Sequence, residues 1–255
     1  MSAAQIRFAT LWRREVSRFM KIKKQTLGGP LLETFLYITV FGAALGSRIK
    51  EVHGIKYILF VIPGLIMMAL ATNAFTNNSS SILQQKFQGA IHDQLSSPAS
   101  PVELLLAFAL GGFVRGLMVA TIAFVVSLAL VGLPVDHVIV LIPALFLVGF
   151  FFANLGVLVG VRAEQFDDVA FAQTFVLQPL IFLGGVFYGA SFLPQPFETL
   201  TRFNPIFYMI SLVRYGFVGF TEVSIPLSLL ALTAATTALF AANLRLFSKG
   251  YRLRS

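Results

Sequence analysis

From Pro179 to Gly219 the chain is too apolar to lie in water and too often broken to cross a membrane as one helix. Gly184, Gly185, Gly189, Pro194, Pro196 and Pro205 interrupt the run PLIFLGGVFYGASFLPQPFETLTRFNPIFYMISLVRYGFVG at intervals shorter than the ~20 residues a spanning helix needs. Inside a bilayer every backbone N–H and C=O needs an internal partner. Broken chain therefore survives at membrane depth only where protein or a water-filled cavity covers it. The stretch predicts a re-entrant segment packed on a bundle.

The rest of the chain supplies such a bundle. Of the 255 residues 57% are hydrophobic and 12% charged, against about 25% charged in a soluble domain. Apolar runs at about 27–46, 57–81, 101–131, 137–160, 170–188 and 224–247 predict six spans, and the polar connections between them are too short to bury a separate soluble core. The expected fold is an all-α integral membrane protein forming a single domain over 1–255. It has an N-terminal amphipathic interfacial helix and two short re-entrant helices between spans five and six, within about 189–219. More than twenty charged and mixed residues precede the first apolar run, which argues against a cleavable signal peptide. No internal repeat of the kind common in secondary transporters is visible.

Charge sets the orientation. The net charge of +8 arises mainly from basic residues in the first 24 positions and the last 11, where they meet anionic headgroups; nucleic acid is not an expected partner. Arg48, Lys50, Lys56, Arg202 and Arg214 are the only Lys or Arg on the proposed outer segments, so both termini are expected in the cytoplasm. Gln5–Lys24 reads as an amphipathic helix with Phe8, Ala9, Trp12, Val16, Phe19 and Met20 on one side and Arg7, Arg14, Arg18 and Lys21 opposite; Leu11 departs from the pattern. It is expected to lie in the plane of the interface, or to act as a basic stop that sets orientation.

Within the cell, the most informative polar segment is QQKFQGAIHDQLSSPAS, read as a helix at about 84–98. Phe87, Ile91 and Leu95 fall at i, i+4 and i+8, beside Gln85, Gln88, His92 and Asp93, and Pro98 and Pro101 end it. Two readings stand level: docking into a groove on a soluble partner, or resting the stripe on the bilayer. Asp167 and Asp168 open the next inner helix, as caps that suit its dipole or as contacts to a basic partner. Glu33 and Arg115 are the charges placed well inside spans. Glu33 is expected to reach back to the basic N-terminal helix, and Arg115, among Gly111, Gly112 and Gly116, to pair internally or to line a polar path.

Catalysis is not expected. The chain has no phosphate-binding G-x-x-x-x-G-K-[ST] loop, no H-E-x-x-H and no cysteine, and its three histidines are scattered at 53, 92 and 137. Neither a metal nor a cofactor is expected in the chain itself.

GGVFYGASFLP at Gly184–Pro194 and NPIFYMISLVRYGFVG at Asn204–Gly219, with IPGLIMM at Ile62–Met68, GGFVRGL at Gly111–Leu117 and FDDV at Phe166–Val169, resemble the permease subunits of type 2 ABC exporters. That family exports nodulation factors, polysaccharides and drugs. The resemblance covers nearly the whole chain. It implies two subunits around a central path in the inner or plasma membrane, driven by two copies of a cytoplasmic ATPase that carries the ATP and Mg. It makes the 84–98 segment the coupling helix, with Gln85, Phe87, Ile91, Asp93, Leu95, Pro98, Asp167 and Asp168 as the residues facing the ATPase. It also makes Gly184, Gly185, Phe187, Tyr188, Pro194, Asn204, Pro205, Tyr208, Arg214 and Tyr215 an outer gate, or a cap on the bundle. The expected function is outward, ATP-driven movement of a glycan, lipid-linked or drug-like substrate. The alternative is an ion-coupled secondary transporter.

Overall fold

The computed structural model describes residues 2–45 and 49–252. Gly46 of the first predicted span, Arg48 of the outer loop, and Leu253, Arg254 and Ser255 of the basic tail lie outside them. Ser2 starts the first helix with a capping box, its hydroxyl accepting from the Gln5 N–H while Gln5 Oε1 accepts from the Ser2 N–H. Helix α1, Ala3–Met20, is followed by α2, Lys23–Thr39, which passes into a π turn at Val40–Leu45. Strands β1, Glu51–Val52, and β2, Ile55–Lys56, pair antiparallel across His53 and Gly54, whose φ values of 52° and 78° suit a two-residue turn.

The 31-residue helix α3, Tyr57–Phe87, runs the length of the bundle. Gly89, at φ 71°, turns the chain into α4, Ala90–Leu95. Ser100 and Glu103 form a second capping box with Pro101 at the first helical position, and α5, Pro101–Val131, returns. Then come α6, Val138–Arg162; α7, Phe166–Phe171, continuing through a π turn at Ala172–Leu177 into α8, Gln178–Leu183; α9, Phe197–Phe203; α10, Pro205–Val218; and α11, Ile225–Lys249. Among the described residues, five helical stretches are long and apolar enough to cross a membrane: Tyr57–Phe87, Pro101–Val131, Val138–Arg162, Phe166–Leu183 and Ile225–Lys249. The first predicted span, where α2 contains Pro30 and passes into the π turn at Val40, is not one of them.

The core is built around α3, whose middle is enclosed by α5, α6 and α10. Small residues let these backbones touch, as they do between membrane helices generally. A Cβ at Gly116 of α5 would stand 2.6 Å from the Leu70 carbonyl oxygen, and one at Gly156 of α6 would collide with that of Phe75. Asparagines tie the same helices by hydrogen bonds: Asn78 donates to the Ala153 carbonyl at 2.9 Å, and Asn243 of α11 to that of Asn154 at 2.8 Å. Each such bond is worth about 0.6 to 2 kcal/mol in a membrane setting.

Two sequence expectations need correction here. Helix α1, expected in the plane of the interface or as a basic stop, packs lengthwise on α5. Arg7 bonds Glu103, Glu15 packs on Gly111, and Arg18 stands near Arg115, so α1 and α5 advance together, side by side and parallel. Leu11, the exception to the amphipathic pattern, packs against the cluster of Ile82, Ile91, Leu105 and Phe108. The segment at 84–98 is likewise not one helix: Gln85 and Phe87 end α3, and only Ala90–Leu95 forms the separate turn.

Candidate functional site

The residues singled out from sequence gather at the two ends of α3. At the C-terminal end of α3, Gly89 rotates α4 away from the stripe that continuous helix would have made. Ile91 is 1% exposed and anchors α4 to Ile82, Leu105 and Phe108, and Leu95 packs beside it. Phe87, 60% exposed, stacks on Phe166 at the start of α7 with ring centroids 5.4 Å apart. Asp93 and Pro98 are exposed. Asp167 and Asp168 occupy the first turn of α7, where Asp168 Oδ2 accepts from the backbone N–H groups of Glu164 and Gln165 at 2.7 and 3.1 Å. That makes Asp168 a cap; Asp167 is exposed beside it.

Beneath α4 lies a polar clasp that sequence reasoning did not find. Glu15 of α1 is 1% exposed. Its Oε1 accepts from Arg14 Nη2 at 3.1 Å and Gln85 Nε2 at 3.0 Å, and its Oε2 from the Ser81 hydroxyl at 2.7 Å. Gln94 of α4 closes the loop: its side-chain amide donates to Gln85 Oε1, and its own Oε1 accepts from Arg14 Nη2 at 2.8 Å. Arg18 donates to both the backbone and side-chain oxygens of Asn77 at 3.0 and 2.8 Å. Burial lowers the Arg18 pKa, chiefly by desolvation, and Glu15 works in the opposite direction. One carboxylate thus joins α1, the end of α3 and, through Gln85, α4. Glu15 lies three residues after Trp12 and four before Phe19, on the apolar side of α1.

The two charges placed inside predicted spans have different surroundings. Glu33 makes no ion pair with α1 among the described residues; it stands beside Tyr37 at the edge of a cavity of about 250 Å³ between α2, α3 and the α7–α8 run. Thr72, Asn73, Thr76, Gln173 and Gln178 give that cavity a hydrogen-bonding wall, and Thr76 donates to Gln173 at 3.1 Å. Arg115 finds no acceptor for its buried Nε among the described residues, and its near neighbour Arg18 is also a cation. Among the described residues it makes no ion pair.

At the N-terminal end of α3, Arg214 of α10 is 1% exposed. It donates to the carbonyl oxygens of Phe60 at 3.1 Å and Gly185 at 2.7 Å, with its guanidinium 3.8 Å above the Phe60 ring. Gly185 itself has φ 85°, which a side chain would strain, and Gly184 packs against Ile206. Phe187 stacks on Phe41, and Tyr188 donates to the Phe182 carbonyl. Asn204 caps α10, accepting from the Ile206 N–H, and donates across to the Leu180 carbonyl, with Pro205 in the first helical position. Tyr208 donates to the Arg202 carbonyl and Tyr215 stacks on His137. Pro194 sits in the turn before α9, its carbonyl accepting from the Phe197 N–H. These residues form a hydrogen-bonded elbow joining α8, α10 and the start of α3.

Residues 6–218 match the family model described as ABC-2 type transporter. The chain is 39% identical over 246 residues to inner membrane transport permease YadH of Escherichia coli (strain K12), an alignment covering 96% of each chain. It is 29% identical over 235 residues to Nodulation protein J of Rhizobium leguminosarum bv. trifolii, covering 88% of this chain and 86% of the relative. With Nodulation protein J of Rhizobium meliloti (strain 1021) the identity is 27% over 236 residues. An apolar helical bundle without a nucleotide-binding loop agrees with what these matches establish: the chain belongs to the ABC-2 type transporter family, as a permease-type membrane subunit of an ABC transporter.

Proposed function

We propose that the chain is the membrane half of an ATP-driven exporter, working as two copies on two cytoplasmic ATPase subunits that bind the ATP and Mg. The observation that carries this is the construction of α4. Ile91 and the Gln94–Gln85–Glu15 clasp fix its inward side, and Asp93, Pro98 and Phe87, the last stacked on Phe166, are left exposed on the other. Such a face is built to be pushed. Closure of the ATPase pair would bear on α4 and, through the clasp, on α1 and α3.

In this reading the α2 region is the sixth span and both termini are cytoplasmic. Helices α9 and α10 dip back into the outer leaflet, with the Arg214 elbow as the outer gate. The substrate path follows the cavity beside Glu33. Its hydroxyl and amide wall favours hydroxyl-bearing cargo such as a glycan or lipid-linked sugar over a wholly apolar molecule.

Co-expression of the tagged full chain with the ABC ATPase encoded beside it tests the reading. The pair should co-purify, hydrolysis should require the ATPase, and D93K or F87A should weaken association while leaving the permease folded. Transport by the chain in vesicles free of any ATPase would overturn it.

A further inference from the structure

The outward side of the clasp is a cleft of about 280 Å³ between α1, the last turn of α3 and the start of α4. We propose that this cleft binds a phosphate-bearing headgroup. Arg14, Arg18 and Lys21 form one wall, at i, i+4 and i+7 on consecutive turns of α1, and Gln85 and Gln88 face them. The only carboxylate on the cleft is Glu15, and both its oxygens are engaged from within the protein.

Charge decides what fits. Three cations against one carboxylate leave an excess of two positive charges. The C-terminal end of α1 offsets only about half a charge. Arg115, close to Arg18 and without an ion pair among the described residues, adds to the excess. Lys21 has no carboxylate partner among the described residues, and the buried Arg18 Nε has no hydrogen-bond acceptor, its nearest carboxylate oxygen standing at 3.6 Å. An anion with several acceptor oxygens meets all these needs, and a guanidinium fork matches phosphate geometry.

Depth decides where the anion comes from. At 1.5 Å per residue, Asn77 lies about 30 Å along α3 from Tyr57, which is the thickness of the hydrocarbon core. Gln85 and Gln88 lie roughly 12 to 16 Å further on, and Arg18 at the other end of the cleft bonds Asn77 itself, so the cleft crosses the headgroup layer, about 5 to 8 Å deep on each side. The cleft thus opens where lipid phosphates are concentrated, and it has room for one with several waters at about 30 Å³ each. The phosphate belongs either to a resident anionic phospholipid or to a soluble or transported phosphate compound. The inference rests on the membrane orientation and not on ATP coupling.

Native mass spectrometry of the purified full chain, titrated with phosphatidylglycerol or phosphatidylcholine and no ATPase present, tests it. Phosphatidylglycerol should be retained at least tenfold better than phosphatidylcholine. K21Q, at an exposed position that supports no internal bond, should lower this preference about fivefold, and R14Q/K21Q tenfold or more. R13Q, an exposed cation of α1 outside the cleft, should leave it unchanged. Displacement of the lipid by sodium pyrophosphate would assign the site to the phosphate group itself, and failure to displace would assign it to the intact lipid; both support the site. Equal retention of the two lipids, or equal losses in R13Q and K21Q, would overturn it.

Discussion

A carboxylate shut away from water needs its oxygens occupied, and Glu15 meets that need with three hydrogen-bond donors from α1 and α3. Glu15→Ala strips the acceptor from Ser81, Gln85 and Arg14 at once. Removing one partner of a buried ionic group costs about 3 to 5 kcal/mol; the lower end applies here, because Arg14 and Arg18 keep partial access to water. The melting midpoint of the full chain in detergent should fall by several degrees, with Glu15→Gln between mutant and parent. An unchanged midpoint would show that the clasp holds nothing. Arg214 makes a comparable test at the opposite end. A lysine has no planar fork with which to reach the Phe60 and Gly185 oxygens together, and a lost bond to a charged donor costs about 1.5 to 3 kcal/mol. Arg214→Lys should therefore expose the 189–196 elbow to added protease at least several times faster than wild type; an unchanged cleavage rate would remove Arg214 from that role. Of the two residues, Arg214 was singled out through the resemblance. Glu15 was hidden by its neighbours, since its one negative charge sits among Arg13, Arg14 and Arg18 and reads as a solvated helix face.

Helices were the legible scale, and their joints were not. Long apolar periods placed α5, α6 and α11 within two residues of their observed bounds, and α3 at its start but short of its end at Phe87, because membrane length and backbone satisfaction leave few other solutions. The i, i+4, i+8 stripe through Phe87, Ile91 and Leu95 was misread for a local reason. Periodicity assumes continuous helix, and one glycine at φ 71° separates Phe87 from the other two. No neighbour crowds Gly89, so Gly89→Ala meets only the cost of left-handed backbone, about 1 to 2 kcal/mol. That variant should fold, bind the ATPase more weakly and lose coupled hydrolysis; full coupling would mean that the angle between α3 and α4 is immaterial. Glycines deeper in the bundle should respond differently. Gly156→Leu meets the Phe75 backbone, which cannot give way as a side chain can, and should yield no monodisperse protein.

For the molecule as a whole, the family and the bundle were readable from five motifs in order, whereas the contents of its cavity were not. Thr72, Asn73, Thr76, Gln173 and Gln178 lie on helices distant in sequence, and only folding brings them to one wall. Glu33 at the rim of that wall separates the two transport readings. If ATP drives the cycle, Glu33→Gln should change substrate affinity by a few fold while transport persists, and a hydrolysis-dead ATPase should abolish it. The opposite pattern, loss with Glu33→Gln and indifference to the ATPase, would establish ion coupling. The glycine contacts of α3 bear on how any such cycle runs. Helices that meet backbone to backbone have no side-chain layer to slip over, so α3, α5 and α6 form a stator. The parts left to swing are α2, with its proline and π turn, and the α7–α8 run, with its own π turn. Spin labels or dyes placed across α5 and α6 should report a constant distance throughout turnover, and those spanning α3 to α8 should report two.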